Sequence, residues 1–192
     1  MDTGFYARDS VSVAKSLLGK LLCHETEDGF VSGIIVETEA YLSENDLACH
    51  ANRGKTKRNS TMFAEPGKAY VYFIYGIYYC FNVVTGEKDK GEAVLVRALE
   101  PQDGLEIMKK NRGYEHPLNN LTSGPGKLCI ALAISKNHDG HDLRFKPLYI
   151  AEQGLLIQDK NIISAPRIGI STARDKLLRF YWSGNEYISR RN

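Results

Sequence analysis

The sequence predicts one α+β domain over residues 1–192, with a curved, largely antiparallel sheet, flanking helices and a protruding β-hairpin. Three observations predict it. Segments rich in β-branched and aromatic residues outnumber helical ones and do not alternate regularly with them, as a parallel sheet would require. Two of these segments, KAYVYFIY (68–75) and IYYCFNVV (77–84), meet at Gly76 with no room for a crossover. No repeat, low-complexity tract or linker interrupts the chain, and 192 residues suit a single core.

Each element has a local reason. DSVSVAKSLLGK (9–20) predicts a short helix capped by Asp9 or Ser10, with Val13, Ala14, Leu17 and Leu18 as its apolar stripe and Gly19 as its stop. FVSGIIVETEAY (30–41) predicts a strand. Its two-residue period puts Ile34, Val36, Thr38 and Ala40 on one face and Glu37, Glu39 and Tyr41 on the other. NRGKTKRNS is a loop, and GEKDKGE separates the hairpin from a further strand, AVLVRALEP (93–101). PQDGLEIMKKNRG (101–113) predicts a helix with Pro101 in its first turn. SGPGKLCIALAI (123–134) is a glycine-rich loop entering a helix, although the phosphate-loop pattern G-x-x-x-x-G-K-[ST] is not matched. LYIAEQ, LLIQ, RIGIS, LRFYWSG and YISRR read as short strands.

Composition removes several classes. With 43% hydrophobic and 25% charged residues the chain is of ordinary globular type. Its longest apolar stretch, residues 69–84, is too short for a membrane span and is interrupted by tyrosines, Gly76 and Asn82. The first ten residues carry no basic region followed by an apolar run, so a cytoplasmic setting is expected. Cys23, Cys49, Cys80 and Cys129 are scattered without a C-x-x-C pair. They read as reduced core thiols, and neither a metal nor a cofactor is expected. The net charge of +2 conceals −6 over residues 1–50 and +8 over the rest, with positive clusters at 52–59 and from Arg174 to Arg191. Such polarity favours a polyanionic partner.

Two features carry the chemistry. Glu37 and Glu39 share a strand face, where two carboxylates repel unless solvated, placed at a site or set opposite a cation. Tyr70, Tyr72, Tyr75, Tyr78 and Tyr79 fall within ten residues. Tyr75, beside the turn glycine, is exposed at the tip, whereas Tyr78 and Tyr79 are expected to be buried in the returning strand. Exposed aromatics near a basic loop suit base stacking. On the residues alone this is a nucleic-acid binder with a carboxylate site, and either glutamate could serve as base.

VETEAYLSENDLACH, KRNSTMF, GKAYVYFIYGIYYCFNVV, VLVRALEP, SGPGKLCIALAI and LRFYWSGNEYIS, taken in order over residues 5–189, resemble the alkyladenine (3-methyladenine) DNA glycosylase family. The resemblance implies excision of damaged purines from double-stranded DNA by a monomer, leaving an abasic site. It assigns Glu39 as general base and Arg97 as holder of the water and sugar-phosphate, with the Ile168 backbone carbonyl as a further water contact. Tyr41, His50 and Tyr72 become walls for a flipped base, Asn82 the obstacle to the exocyclic amine of guanine, and Tyr75 the intercalating wedge. Arg53, Lys57, Arg58, Ser123 and Lys127 become contacts to the DNA backbone. No lysine lies in the 39–50 or 72–82 stretches to form a Schiff base, so a monofunctional hydrolase is expected. A non-catalytic nucleic-acid-binding module and a hydrolase of free nucleosides remain open as alternatives.

Overall fold

The computed structural model describes residues 1–189. Helices α1 (Thr3–Tyr6) and α2 (Ser10–Leu17) are capped by Asp2 and Asp9, whose carboxylates accept the Phe5 and Ser12 amides, each at 2.9 Å. The second helix stops at Leu17, Leu18 is already extended, and Gly19 turns the chain with φ 84°. Strand β1 (Leu21–Thr26) follows. It was hidden in the sequence because LLCHET mixes polar and apolar residues without alternation. It pairs with β2 (Gly29–Tyr41) through a tight turn that sets Thr26 against Gly29. The hairpin strands are β3 (Ala69–Ile74) and β4 (Tyr78–Thr85), and β5 (Glu92–Pro101) lies beside β4.

Pro101 therefore ends a strand and does not open a helix. Helix α3 spans Leu105–Arg112, after Gly104 at φ 75°. A Cβ at Gly104 would lie 2.4 Å from the Phe30 carbonyl oxygen, so only glycine lets the chain turn this close to β2. Helix α4 (Pro125–Ala131) has proline in its first turn. β6 (Leu148–Ala151), β7 (Ile162–Ala165) and β8 (Arg179–Trp182) complete one eight-stranded sheet. Its main path runs β3-β4-β5-β2-β1-β6, and all its ladders are antiparallel. At 13 residues, β2 is long enough to pair with β1 through its first half and with β8 at Glu37–Glu39.

Two expected strands are absent, and the described part of a third forms none. LLIQ passes Gly19 and puts Ile157 into the core without joining a ladder. RIGIS is an irregular loop whose polar groups bond to the site described below. Residues 187–189 of YISRR form no strand, and Arg190 and Arg191 lie outside the described residues.

The face assignment on β2 also needs correction. Pairing with β5 sets Ile35 against Leu99, Glu37 against Ala98 and Thr38 against Val96, so Val36 and Arg97 have no direct ladder partner. This irregularity reverses the alternation, as a β-bulge does. Ile34 and Val36 pack with Ala98 and Trp182, whereas Ala40 joins the main core and the Thr38 hydroxyl donates to the Ala14 carbonyl at 2.9 Å. Four residues expected on one face are thus divided between two.

The main core lies between the sheet and its helices. A smaller one, around Met62, Phe63 and Tyr70, supports the hairpin and the 50–63 segment. All four cysteines are buried and free. Among the described residues no helix is long and apolar enough to cross a membrane.

Behind β1, His24 and His138 meet edge to face at 4.7 Å, with His24 Nδ1 2.6 Å from the Leu132 carbonyl oxygen. Burial lowers both pKa values, and the proximity of His24 adds to the effect on His138. A histidine depressed in the fold contributes nothing at high pH. Stability is lost as pH falls below the ordinary histidine value, where the unfolded chain takes up protons first. Thermal melts from pH 7 to 5 should therefore show a falling Tm, and the fall should be smaller in His138→Asn.

Candidate active site

The two glutamates face cations, not solvent. After the irregularity at Val36, Glu37, Glu39 and Tyr41 share one face, and both carboxylates are fully buried. Arg97, displaced by the matching irregularity in β5, bridges them: Nε donates to Glu37 Oε1 at 3.0 Å and Nη1 lies 3.2 Å from Glu39 Oε1. Arg179 approaches Glu37 Oε1 to 2.9 Å, and Ser189 donates its amide to Oε2 at 2.6 Å and its hydroxyl to Oε1 at 2.9 Å. Two carboxylates and two guanidiniums balance, as a buried cluster must. Burial alone would depress the Arg97 pKa, but Glu39 and then Glu37 outweigh it and raise the value.

The glutamates differ in what surrounds them. Glu37 is ringed by Arg97, Arg179 and Ser189, which makes it structural. Glu39 accepts the Ile168 amide at 2.7 Å on Oε1 and the Tyr41 hydroxyl at 2.9 Å on Oε2. Its immediate neighbours Tyr41, Arg97 and Ile168 all line a cavity of about 610 Å³, within the usual size for a small-molecule or base pocket. The Ile168 contact that the structure provides is its N–H, on the carboxylate itself.

His50, Tyr72 and Asn82 line the same cavity, so the residues expected around a base converge from three separate segments. The His50 and Tyr72 rings are 4.7 Å apart at 70°. His50 Nδ1 lies 3.0 Å from the hydroxyl of Tyr70, whose pKa burial raises, so this phenol stays neutral and can donate. The surrounding protein, and secondarily Arg58, lowers the His50 pKa, although the residue opens onto the cleft. A neutral imidazole accepting at Nδ1 carries its proton on Nε2. Asn82 spends its amide hydrogens on the Tyr70 carbonyl at 3.0 Å and the Cys80 carbonyl at 3.4 Å, so the group is held rigidly.

Tyr75 caps the hairpin, 76% exposed and with φ 54°; Gly76 follows at φ 71°, and the Ile77 amide closes the turn on the Ile74 carbonyl at 3.2 Å. Positive φ at two successive residues matches the twist of a tight hairpin but strains a non-glycine. Phe73 and Ile77 are also exposed. Tyr78, expected to be buried, is 39% exposed and lines the cavity, because a short residue at Gly126 gives its ring a seat: a Cβ there would fall 2.9 Å from it. Tyr79 is half-buried against Phe73 at 5.1 Å.

Arg53, Lys57 and Arg58 are exposed on the 52–59 loop. Asn59, buried beneath it, was not recognisable in the sequence. Its Oδ1 accepts from the Thr56 amide at 2.6 Å, and its Nδ2 donates to the His50 and Gly54 carbonyls at 2.9 and 3.0 Å. Ser123 is buried, with its hydroxyl 3.4 Å from Asn120 Oδ1, while Lys127 lines the cavity and donates to that same oxygen. Burial, and then Arg112, lowers the Lys127 pKa. A lysine absent from the two stretches examined in the sequence is thus present on the cavity wall. Arg167 and Asp46 also escaped the sequence reading, since a charged pair 121 residues apart leaves no local pattern. Among the described residues no group of three or more His, Cys, Asp or Glu is placed to hold a metal ion.

The class comes from the family match: the chain is a DNA glycosylase, a hydrolase of DNA repair. Residues 4–186 match the family described as Methylpurine-DNA glycosylase (MPG), and the chain belongs to that family. Two relatives carry the name "Putative 3-methyladenine DNA glycosylase". The one from Carboxydothermus hydrogenoformans is 49% identical over 97% of both chains. The one from Methanoculleus marisnigri is 51% identical over 100% of this chain and 99% of its own.

Removing the buried Asn59 side chain takes three hydrogen bonds from the loop, those to the His50 and Gly54 carbonyls and from the Thr56 amide. Asn59→Ala should cost about 1–3 kcal/mol and loosen the basic loop together with the His50 wall. Chemical denaturation should show the loss, and weaker binding to any duplex should accompany it.

Proposed function

We propose that this protein is a base-excision-repair glycosylase of the 3-methyladenine type. It would flip a damaged purine from duplex DNA, hydrolyse the N-glycosidic bond and leave an abasic site. The observation that carries the reading is Glu39, buried behind the cavity and held by Arg97, Tyr41 and Ile168. A base inside a duplex cannot reach such a recess unless it is extruded.

The chemistry follows from the charges. Cleavage of the C–N bond builds oxocarbenium character on the sugar, and a nearby carboxylate stabilises it. Glu39 also accepts a proton from a water entering between the sugar and the Arg97–Ile168 side of the cavity. The Arg97 charge offsets one carboxylate and offers donors to the sugar-phosphate. Tyr41, His50 and Tyr72 sandwich the base, which tolerates 3-methyladenine, 7-methylguanine, hypoxanthine and ethenoadenine alike. Asn82, pinned by two backbone carbonyls, cannot swing aside for the exocyclic amine of unmodified guanine. Alkylated cationic purines leave readily, so a permissive pocket still excises selectively. Arg53, Lys57 and Arg58, with Lys127 across the cavity, grip phosphates. The enzyme would act as a monomer and without a cofactor. Hydrolysis by water without a Schiff base is the reading, with the Lys127 ammonium donating to Asn120 and to phosphate.

The deciding experiment compares release of hypoxanthine from a duplex oligonucleotide with release from free inosine. Excision from the duplex alone is expected; release from inosine at similar rate would make the protein a nucleoside hydrolase, and release from neither a binding module. Glu39→Gln should bind the lesion duplex as the parent does and lose at least about a hundredfold in single-turnover rate, the scale of removing a general base. Activity within tenfold of the parent would move that role elsewhere.

Tyr75 should act as the wedge, its exposed ring entering the stack as the purine leaves. Tyr75→Ala should slow excision about tenfold or more in a paired duplex, since base–aromatic stacking contributes roughly 1–3 kcal/mol. The defect should shrink with the lesion opposite a gap, and fluorescence of a base analogue at the lesion would report the flipped fraction.

A further inference from the structure

We propose that Arg167, clamped by Asp46, is a positioning residue that holds the Tyr41 wall and the Glu39 carboxylate in one fixed relation. The inference rests on the reading of Glu39 as the base. Both side chains are fully buried and pair in a bidentate fork, Nη1 to Oδ2 at 2.7 Å and Nη2 to Oδ1 at 2.5 Å. The Leu42 and Ala48 amides donate to the same carboxylate at 3.1 and 3.3 Å, so Asp46 is itself locked to its loop.

From this anchor the guanidinium reaches the site in two ways, and the neighbouring backbone in a third. Nη1 also donates to the carbonyl of Ala40 at 3.0 Å, on the chain between Glu39 and Tyr41. Its central carbon stands over the Tyr41 ring, 4.6 Å from the centroid, so one face of that ring is covered and only the other can meet a base. The next residue along the chain, Ile168, donates its amide to Glu39 at 2.7 Å. One side chain thereby registers the stacking wall, the strand bearing the base and the amide that orients the carboxylate. The pair also joins two loops, since Leu47 and Ala48 beside Asp46 and Ile168 to Thr172 beyond Arg167 all line the cavity.

A pair serving only stability would be interchangeable with other buried contacts. A positioning pair has a sharper signature: loss of rate more than of binding, and coupling to Tyr41. Arg167→Lys retains the charge but loses the fork and the flat face over the ring. With a single hypoxanthine in a duplex, it should lower the single-turnover rate about tenfold to a hundredfold, the cost of small misplacements at a reacting centre. Its Kd for that duplex should stay within about threefold, because uniform binding is not what is lost. Combined with Tyr41→Phe, which removes the hydroxyl from Glu39, the two defects should be less than multiplicative, because both disturb one carboxylate.

Arg167→Lys that excises like the parent, or defects that multiply independently, would overturn the assignment. If Arg167→Lys does not fold, Asp46→Asn, similar in shape, is measured in its place; if neither folds, the pair is a stability element and the proposal fails. The parent's own excision of hypoxanthine separates the two levels. An inactive parent overturns the Glu39 reading and this proposal with it, whereas an active parent with an unaffected variant overturns this one alone.

Discussion

The guanidinium of Arg97 between Glu37 and Glu39 is the interaction on which the site depends. Two carboxylates fully out of water cannot stay ionised side by side without a cation bridging them, and Arg97 is buried for that purpose. The pairing register is the same on both sides of the irregularity, so a regular ladder would also set Glu37 opposite Arg97, but on the face of Ile35 and Leu99, in the main core. With Val36 and Arg97 left out of the ladder the alternation reverses, and Glu37, Glu39 and Arg97 turn to the face that carries the cavity. Bulges of this kind re-aim side chains and are concentrated near active sites.

Arg179 and Ser189 then make Glu37 and Glu39 unequal. Both of them, drawn from the last part of the chain, engage Glu37 and leave Glu39 with the three neighbours that line the cavity. A carboxylate ringed by donors is a structural anchor, while one held from the side of a cavity can still accept a proton. Arg179 and Ser189 thus leave Glu39 as the glutamate facing the cavity, although among the described residues no group after Thr172 lines it.

The hairpin side follows a different logic. One face of β3 and β4, with Ala69, Val71, Phe81 and Val83, joins the main core, and the other packs on the small core around Tyr70, while the tip carries exposed Phe73, Tyr75 and Ile77. Strain at Tyr75 is tolerated because nothing at the tip needs burial, and a large ring ends up where it can enter a base stack. Asn59 ties the basic loop to the His50 carbonyl, so the exposed cations of the loop and the imidazole share one support.

Much of this was legible from local pattern. The β2, β3, β4 and β5 strands carry β-branched and aromatic residues, and the hairpin has its glycine at the turn. The α2 helix has its aspartate cap. Glu37, Glu39, Tyr41, His50, Tyr72, Tyr75, Asn82 and Arg97 stand in short segments whose order marks a family, so the candidate site could be drawn up residue by residue. Local pattern also misled. Pro101 suggested a helix start but closes a strand, LLIQ and RIGIS have strand-like composition but no ladder partner, and LLCHET forms a strand without alternating.

What the sequence determined by itself is the set of elements and candidates, because propensity, capping and turn chemistry act over a few residues. Tertiary structure alone decided the register at Val36, the difference between Glu37 and Glu39, the exposure of Tyr78, and the roles of Arg167, Asp46, Asn59 and Ser189. Each of these depends on a partner in another segment, up to 152 residues away for Ser189 and Glu37. Buried polar groups have to find partners wherever the fold brings them, and that matching is a property of packing in three dimensions.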